Sequence, residues 1–135
     1  MQARSIGYWT STILVAFFIG TGGLGQLWQY HANPDSIVPV LLYPMYFFAI
    51  LGIWKVLGAI AILVPGRPLL KEWAYAGIFF DLTGAAASYI GAGSYGAHGF
   101  HVIVPLLFAG ITVASWALRP ASRSVASPET IATPA

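Results

Sequence analysis

Leu70-Lys71-Glu72-Trp73-Ala74-Tyr75-Ala76-Gly77-Ile78-Phe79-Phe80-Asp81-Leu82-Thr83-Gly84-Ala85 is the stretch on which the reading of this chain turns. It opens with a charged pair and aromatic residues, then becomes apolar and carries a single carboxylate, Asp81. At about 1.5 Å of rise per helical residue, Asp81 lies about 15 Å beyond Lys71. That is about half the hydrocarbon thickness of a bilayer. A carboxylate at that depth needs a counter-charge, a proton or a polar cavity.

Composition supplies the reason to think of a bilayer at all. Of 135 residues, 58% are hydrophobic and 7% are charged, against about 25% charged in soluble domains. A soluble domain this short would leave much of that apolar sequence in water. The net charge of +2 is small, and no basic run marks a nucleic-acid footprint, so nucleic acid is not an expected partner. There is no cysteine, which excludes disulfides, thiolate metal sites and thiol relays.

Four apolar stretches follow, at about residues 8–30, 41–64, 72–90 and 100–118. Each approaches the roughly twenty residues that a spanning helix needs. The first run continues to about Trp28 without a clear small-x-small cleavage site, so it reads as a retained helix rather than a secretory signal. Asn33-Pro34-Asp35 and Pro39 form the first link, and Pro65-Gly66-Arg67-Pro68 a tight turn that makes the second and third helices antiparallel neighbours. Residues 119–135 turn polar and proline-rich and read as a disordered cytoplasmic tail. The expected fold is all-α, an integral membrane four-helix transmembrane bundle over residues 1–118. Arg4, Arg67, Lys71, Arg119 and Arg123 fall on one side of that drawing and the other two links hold neither Lys nor Arg. Both termini are therefore expected on the cytoplasmic side. Tyr8, Trp9, Trp28, Tyr30, Trp73, Tyr75 and Trp116 lie near span ends, as an interfacial belt would.

Lys55 is the basic residue left inside a span. Counted back from the tight turn, it lies roughly 14 Å deep, level with Asp81. The two can face each other at the midplane, where an ion pair offsets the cost each would bear alone. Gly52, Gly58 and Ala59 flank Lys55 at helical spacing, and Gly77, Gly84 and Ala85 flank Asp81, which suggests two closely packed faces. The pair reads either as a proton relay, ligand anchor or gate, or as structural glue. Glu72 stands at the cytoplasmic lip, where it would complement the helix dipole or serve as an entry site.

A second polar set gathers at the other ends of the helices: Gln26, Tyr30, His31, Tyr43, Tyr46, Tyr89, His98 and His101. In an antiparallel bundle these could line one outward pocket above Lys55 and Asp81. His98 and His101 are three apart and suit a proton route, or interfacial anchoring, better than a metal site, for which further ligands are scarce. Gly20-Thr21-Gly22-Gly23-Leu24-Gly25 lacks the strand and lysine of a phosphate loop and reads as a close helix contact. Pro44 and Pro105 either kink spans or begin them.

Lys55-Val56-Leu57-Gly58-Ala59, Pro65-Gly66-Arg67-Pro68, Lys71-Glu72-Trp73-Ala74-Tyr75-Ala76-Gly77, then Gly84-Ala85 and Ser88, resemble the DoxX-like family of small bacterial four-helix membrane proteins. The resemblance covers about residues 8–118. It implies a four-helix bundle in the bacterial inner membrane, and an association of some relatives with quinone-coupled sulfur oxidation or oxidative-stress complexes. Cysteine chemistry used by some redox-linked relatives does not carry over. The expected function is a quinone- or redox-associated membrane subunit, with a lipophilic ligand held near Lys55 and Asp81 and with His98 and His101 on an outer proton route. Quinone is the cofactor that the resemblance suggests. Membrane lipid, a partner oxidoreductase and further copies of the chain are the expected partners. Two alternatives stay open: a small proton-coupled transporter cycling Asp81, and a non-catalytic scaffold for an oxidoreductase. Whether the chain is an enzyme stays open as well.

Overall fold

A computed structural model describes residues 2–38, 41–93 and 99–120. Four helices run in chain order: α1 (Gln2–Ala32), α2 (Met45–Leu63), α3 (Pro68–Gly91) and α4 (Phe100–Ala117). Among the described residues there is no strand, only an isolated bridge between Ile37 and Pro44. The polar tail from residue 121 onward lies outside the described residues.

Local chemistry sets the helix ends. α2 begins at Met45 rather than at Leu41 because Pro44, in an extended conformation, precedes it. A proline ring disfavours helical geometry in the residue before it, so the helix starts after Pro44. α3 begins earlier than expected, at Pro68, since a first-turn position needs no N–H from proline. Gly66 (φ +78°) supplies the left-handed residue of the turn between them. Pro105 lies inside α4 without ending it.

The pairing of helices can be traced through contacts. Lys71 meets Ala61 and Ile62, whereas Asp81 meets Lys55. Glu72 meets Trp116, whereas Tyr89 stacks on His101. Thr12 meets Ser115, whereas Phe18 stacks on Phe108 with ring centroids 3.9 Å apart. In each pair, residue numbers rise on one helix as they fall on the other, so neighbours are antiparallel and the four helices close an up-and-down ring. The core is formed by Val15, Ile19, Ile62, Tyr75, Ile78 and Leu82 with small residues between them.

Many large apolar side chains point outward, among them Phe17, Trp28, Trp54, Trp73, Phe80 and Ile103. An all-helical bundle with that exterior suits hydrocarbon, where each backbone polar group must be satisfied within its own segment. α1, α2 and α4 are long and apolar enough to cross a membrane. α3 is also long enough, at 24 residues, but Lys71, Glu72 and Asp81 dilute its apolar sequence. The chain is an all-α multi-pass membrane bundle. Two of the expected belt residues do not face lipid: Tyr8 and Tyr75 are buried in the core, because each finds packing and Tyr75 also finds a hydroxyl partner inside.

The glycine run of α1 is a helix contact. A Cβ at Gly23 would come within 2.7 Å of the Gly52 carbonyl oxygen and 2.9 Å of Lys55 Cβ, and one at Gly52 within 2.7 Å of the Gly23 carbonyl oxygen. α1 and α2 therefore touch backbone to backbone at this crossing. The face expected around Asp81 is different. Gly77 and Gly84 have nothing within 4 Å of a built Cβ, so they do not mark a close helix contact. We expect Gly23→Ala to lower thermal stability in detergent by about 1–3 kcal/mol, the usual cost of overpacking, while Gly22→Ala, which meets nothing within 4 Å, has little effect. Equal melting temperatures for the two variants would remove the crossing from the account.

Candidate functional site

Lys55 and Asp81 lie near the middle of α2 and α3 and face each other with Lys55 Nζ 3.5 Å from Asp81 Oδ2. Both side chains are mostly enclosed, at 16% and 17% exposure. The separation is long for a hydrogen bond, whose N–H···O distance is commonly about 2.7–3.2 Å. Asp81 Oδ2 is buried and accepts no hydrogen bond from any described residue.

The pair lies in the wall of a cleft of about 580 Å³ between α2 and α3, within the usual size range of small-molecule sites. Trp54, Leu57, Leu70, Trp73, Ile78 and Phe80 line it along with Lys55 and Asp81. Trp54, Leu57, Leu70, Trp73 and Phe80 are exposed on the outer surface of the bundle, so the mouth of the cleft faces the apolar surroundings. Gly77 also lines it, and its missing side chain leaves room. The cleft is thus an apolar slot whose polar groups are one ammonium and one carboxylate.

The turn end of the hairpin is closed by Lys71, which the sequence marks only as one of the basic residues on the cytoplasmic side. Lys71 is fully buried, and its Nζ donates to the carbonyl oxygens of Ala61 (3.0 Å) and Ile62 (2.8 Å). These belong to the last turn of α2, whose carbonyls lack partners within the helix. A cation there also complements the negative end of the helix dipole.

Glu72 is not part of the cleft. Its carboxylate accepts from the Arg119 guanidinium and, at 2.9 Å, from the Trp116 indole Nε1. It lies beyond the first turn of α3, so its partners, rather than the helix dipole, account for its position. Arg119 also stands over the Tyr75 ring, 5.4 Å from the centroid. Beside it a buried hydroxyl chain runs from Tyr75 through Ser115 (2.8 Å) to Thr12 (2.6 Å). α1, α3 and α4 are therefore tied together at one end by polar side chains. Glu72 and Tyr75 are three apart on α3, and that helical spacing was the available signal; Arg119 lies just past the end of α4.

Among the described residues, the outward polar side chains pair locally rather than around Lys55 and Asp81. His101 stacks on Tyr89, with centroids 4.8 Å apart and planes 13° apart. Tyr43 shares a 2.8 Å hydrogen bond with Ser88. His31 is exposed beside Trp28. Gln26 sits on the α1–α2 seam, its Cβ facing Gly52, and its Oε1 accepts no hydrogen bond from a described residue. None of these residues lines the α2–α3 cleft. His98 lies outside the described residues. Of the six residues expected in a ligand or proton site, the structure brings Lys55 and Asp81 together and leaves Glu72, Gln26 and His101 elsewhere.

Among curated proteins and among solved structures, none matches the chain. The sequence profile of the DoxX-like family matches residues 10–115. That match runs from the first turns of α1 almost to the end of α4 and takes in the cleft, the Lys71 cap and the Tyr75–Ser115–Thr12 hydroxyl chain, with Trp116 and Arg119 just beyond it. With the four-helix architecture in agreement, the chain belongs to the DoxX-like family.

Proposed function

We propose that the protein holds a lipophilic ligand in the α2–α3 cleft, with the ligand's polar end at Lys55 and Asp81. The observation that carries this reading is the cleft itself: apolar, aromatic-walled, open toward the bilayer, and holding one charge pair at mid-helix depth. A hydrophobic molecule enters such a slot from the membrane without crossing water. The pair then gives it orientation, because an oriented polar contact in an apolar pocket is what confers specificity. The ligand is then of quinone type and the chain is the membrane subunit of a redox system with a partner oxidoreductase, a role linked to some relatives of the DoxX-like kind. In this reading the chain sits in the bacterial inner membrane with both termini in the cytoplasm, which the one-sided placement of Arg4, Arg67, Lys71 and Arg119 supports. A proton-transport route from Glu72 to Asp81 gains no support, since Glu72 is engaged by Arg119 and Trp116 away from the pair.

Two measurements address this proposal. The first is a stability cycle in detergent. Lys55→Met leaves a carboxylate enclosed without its counter-charge, at a cost of about 3 kcal/mol, and the addition of Asp81→Asn restores part of that loss. Strictly additive effects would mean that the two side chains do not interact. The second is mass spectrometry of small molecules that co-purify in mild detergent. A lipophilic, oxygen-bearing compound should be enriched with the wild type and lost with the Lys55→Met, Asp81→Asn variant. Bulk phospholipid alone in both samples would overturn the ligand-binding reading.

A further inference from the structure

The hydrogen-bonding state of the pair says which kind of polar end the cleft accepts. Asp81 Oδ2 is buried, faces an ammonium at 3.5 Å and accepts no hydrogen bond from any described residue. A buried acceptor left without a donor is costly, and more so when charged. The ammonium is a donor only, and the ionised carboxylate an acceptor only. A single hydroxyl oxygen that parts the two side chains can serve both: it donates its proton to Asp81 Oδ2 and accepts from Lys55 Nζ. A carbonyl or ether oxygen can accept from Lys55 and leaves Asp81 as it was.

We infer that the cleft selects a lipophilic alcohol or phenol, whose hydroxyl bridges Lys55 and Asp81, over the matching carbonyl or ether. This inference rests on the reading of the cleft as a ligand site and adds the chemical class of the head group. Three features carry it together: the apolar slot of about 580 Å³, the unmet acceptor at Asp81 Oδ2, and an ion pair spaced too widely to satisfy itself. Where a ligand exists in both a carbonyl and a hydroxyl form, the hydroxyl form is the one that the site holds. No bond is made or broken; the selection is by hydrogen bonding alone.

The cleft carries its own reporters, since Trp54 and Trp73 both line it. The test uses 4-nonylphenol and its methyl ether, which share a hydrocarbon body and differ in the hydroxyl proton. Each is titrated into the detergent-solubilised full chain while tryptophan emission is followed. Lys55→Met with Asp81→Leu is run alongside, because it removes both charges together and leaves no carbonyl acceptor at position 81. Comparing the phenol-to-ether ratio between the two proteins cancels partition into micelles.

The expected result is that wild type binds the phenol about tenfold or more tightly than the ether, the scale of a hydrogen bond to a charged acceptor. The ratio should fall to about one in the variant, which can neither accept the phenol's proton at position 81 nor donate to either probe from position 55. Equal binding of both probes by wild type would overturn the hydroxyl inference and leave the cleft standing as a ligand site. A preference that persists in the variant would also overturn it, by separating the preference from the pair. Binding of neither probe, or a response that survives Trp54→Phe with Trp73→Phe, would overturn both the inference and the cleft reading on which it rests.

Discussion

A charge taken from water into hydrocarbon has to be met by another charge or by oriented dipoles, and this bundle is arranged around three such meetings. Lys55 faces Asp81. Lys71 faces the carbonyls that end α2. Arg119 faces Glu72. Each joins neighbouring helices, or a helix to its neighbour's end, so the compensation of charge and the choice of helix partners are the same event. The apolar surfaces alone would leave rotation and register loosely determined, because hydrocarbon offers a leucine nearly the same environment as another helix does.

The three meetings are not alike. At the Arg119 end, α1, α3 and α4 share a continuous polar set: Thr12, Ser115, Tyr75, Glu72 and Trp116 have partners at ordinary hydrogen-bond distance or closer. Lys71 is similarly satisfied by two carbonyls. The Lys55–Asp81 pair is looser, lies in a cleft, and leaves an acceptor without a donor. Two tight compensations, at Lys71 and Glu72, hold the N-terminal end of α3, and the incomplete one falls between helices that share the least contact of any neighbouring pair in the ring. The contrast within one chain is the reason to place function at Lys55 and Asp81 and structure at the other two.

Depth was legible in the sequence, while direction around the helix was largely not. The four helices, the tight turn and the level placement of Lys55 and Asp81 all follow from counting residues outward from Pro65-Gly66-Arg67-Pro68. The glycine run of α1 was legible as a helix contact because a backbone crossing is what small residues in a membrane helix permit. Counting could not tell that Lys71 turns inward to the end of α2, or that Tyr75 enters the core whereas Trp73 does not, since those depend on which neighbour lies on each side. The outward polar residues share a depth too, and a common depth suggested a common pocket. Tyr43–Ser88 and Tyr89–His101 instead pair locally, each with a partner on its own side of the bundle rather than across a shared cavity.

The position of the cleft follows from the same economy of partners. α1 and α2 cross at Gly23 and Gly52 with backbones in contact, so no space opens on that seam. α1 and α4 meet through stacked Phe18 and Phe108. α3 and α4 are joined by Glu72, Tyr75 and their partners at one end and by the Tyr89–His101 stack at the other, and the cleft between them is the smaller one, of about 300 Å³. On the remaining seam, Lys71 fixes the turn end of α2 to α3, and beyond it the main polar contact is the ion pair. Here α2 and α3 meet through side chains rather than glycine against glycine, and Gly77 leaves the intervening volume unfilled. The charge pair therefore lies on the seam with the least helix contact and supplies the groups that give the cleft its polarity.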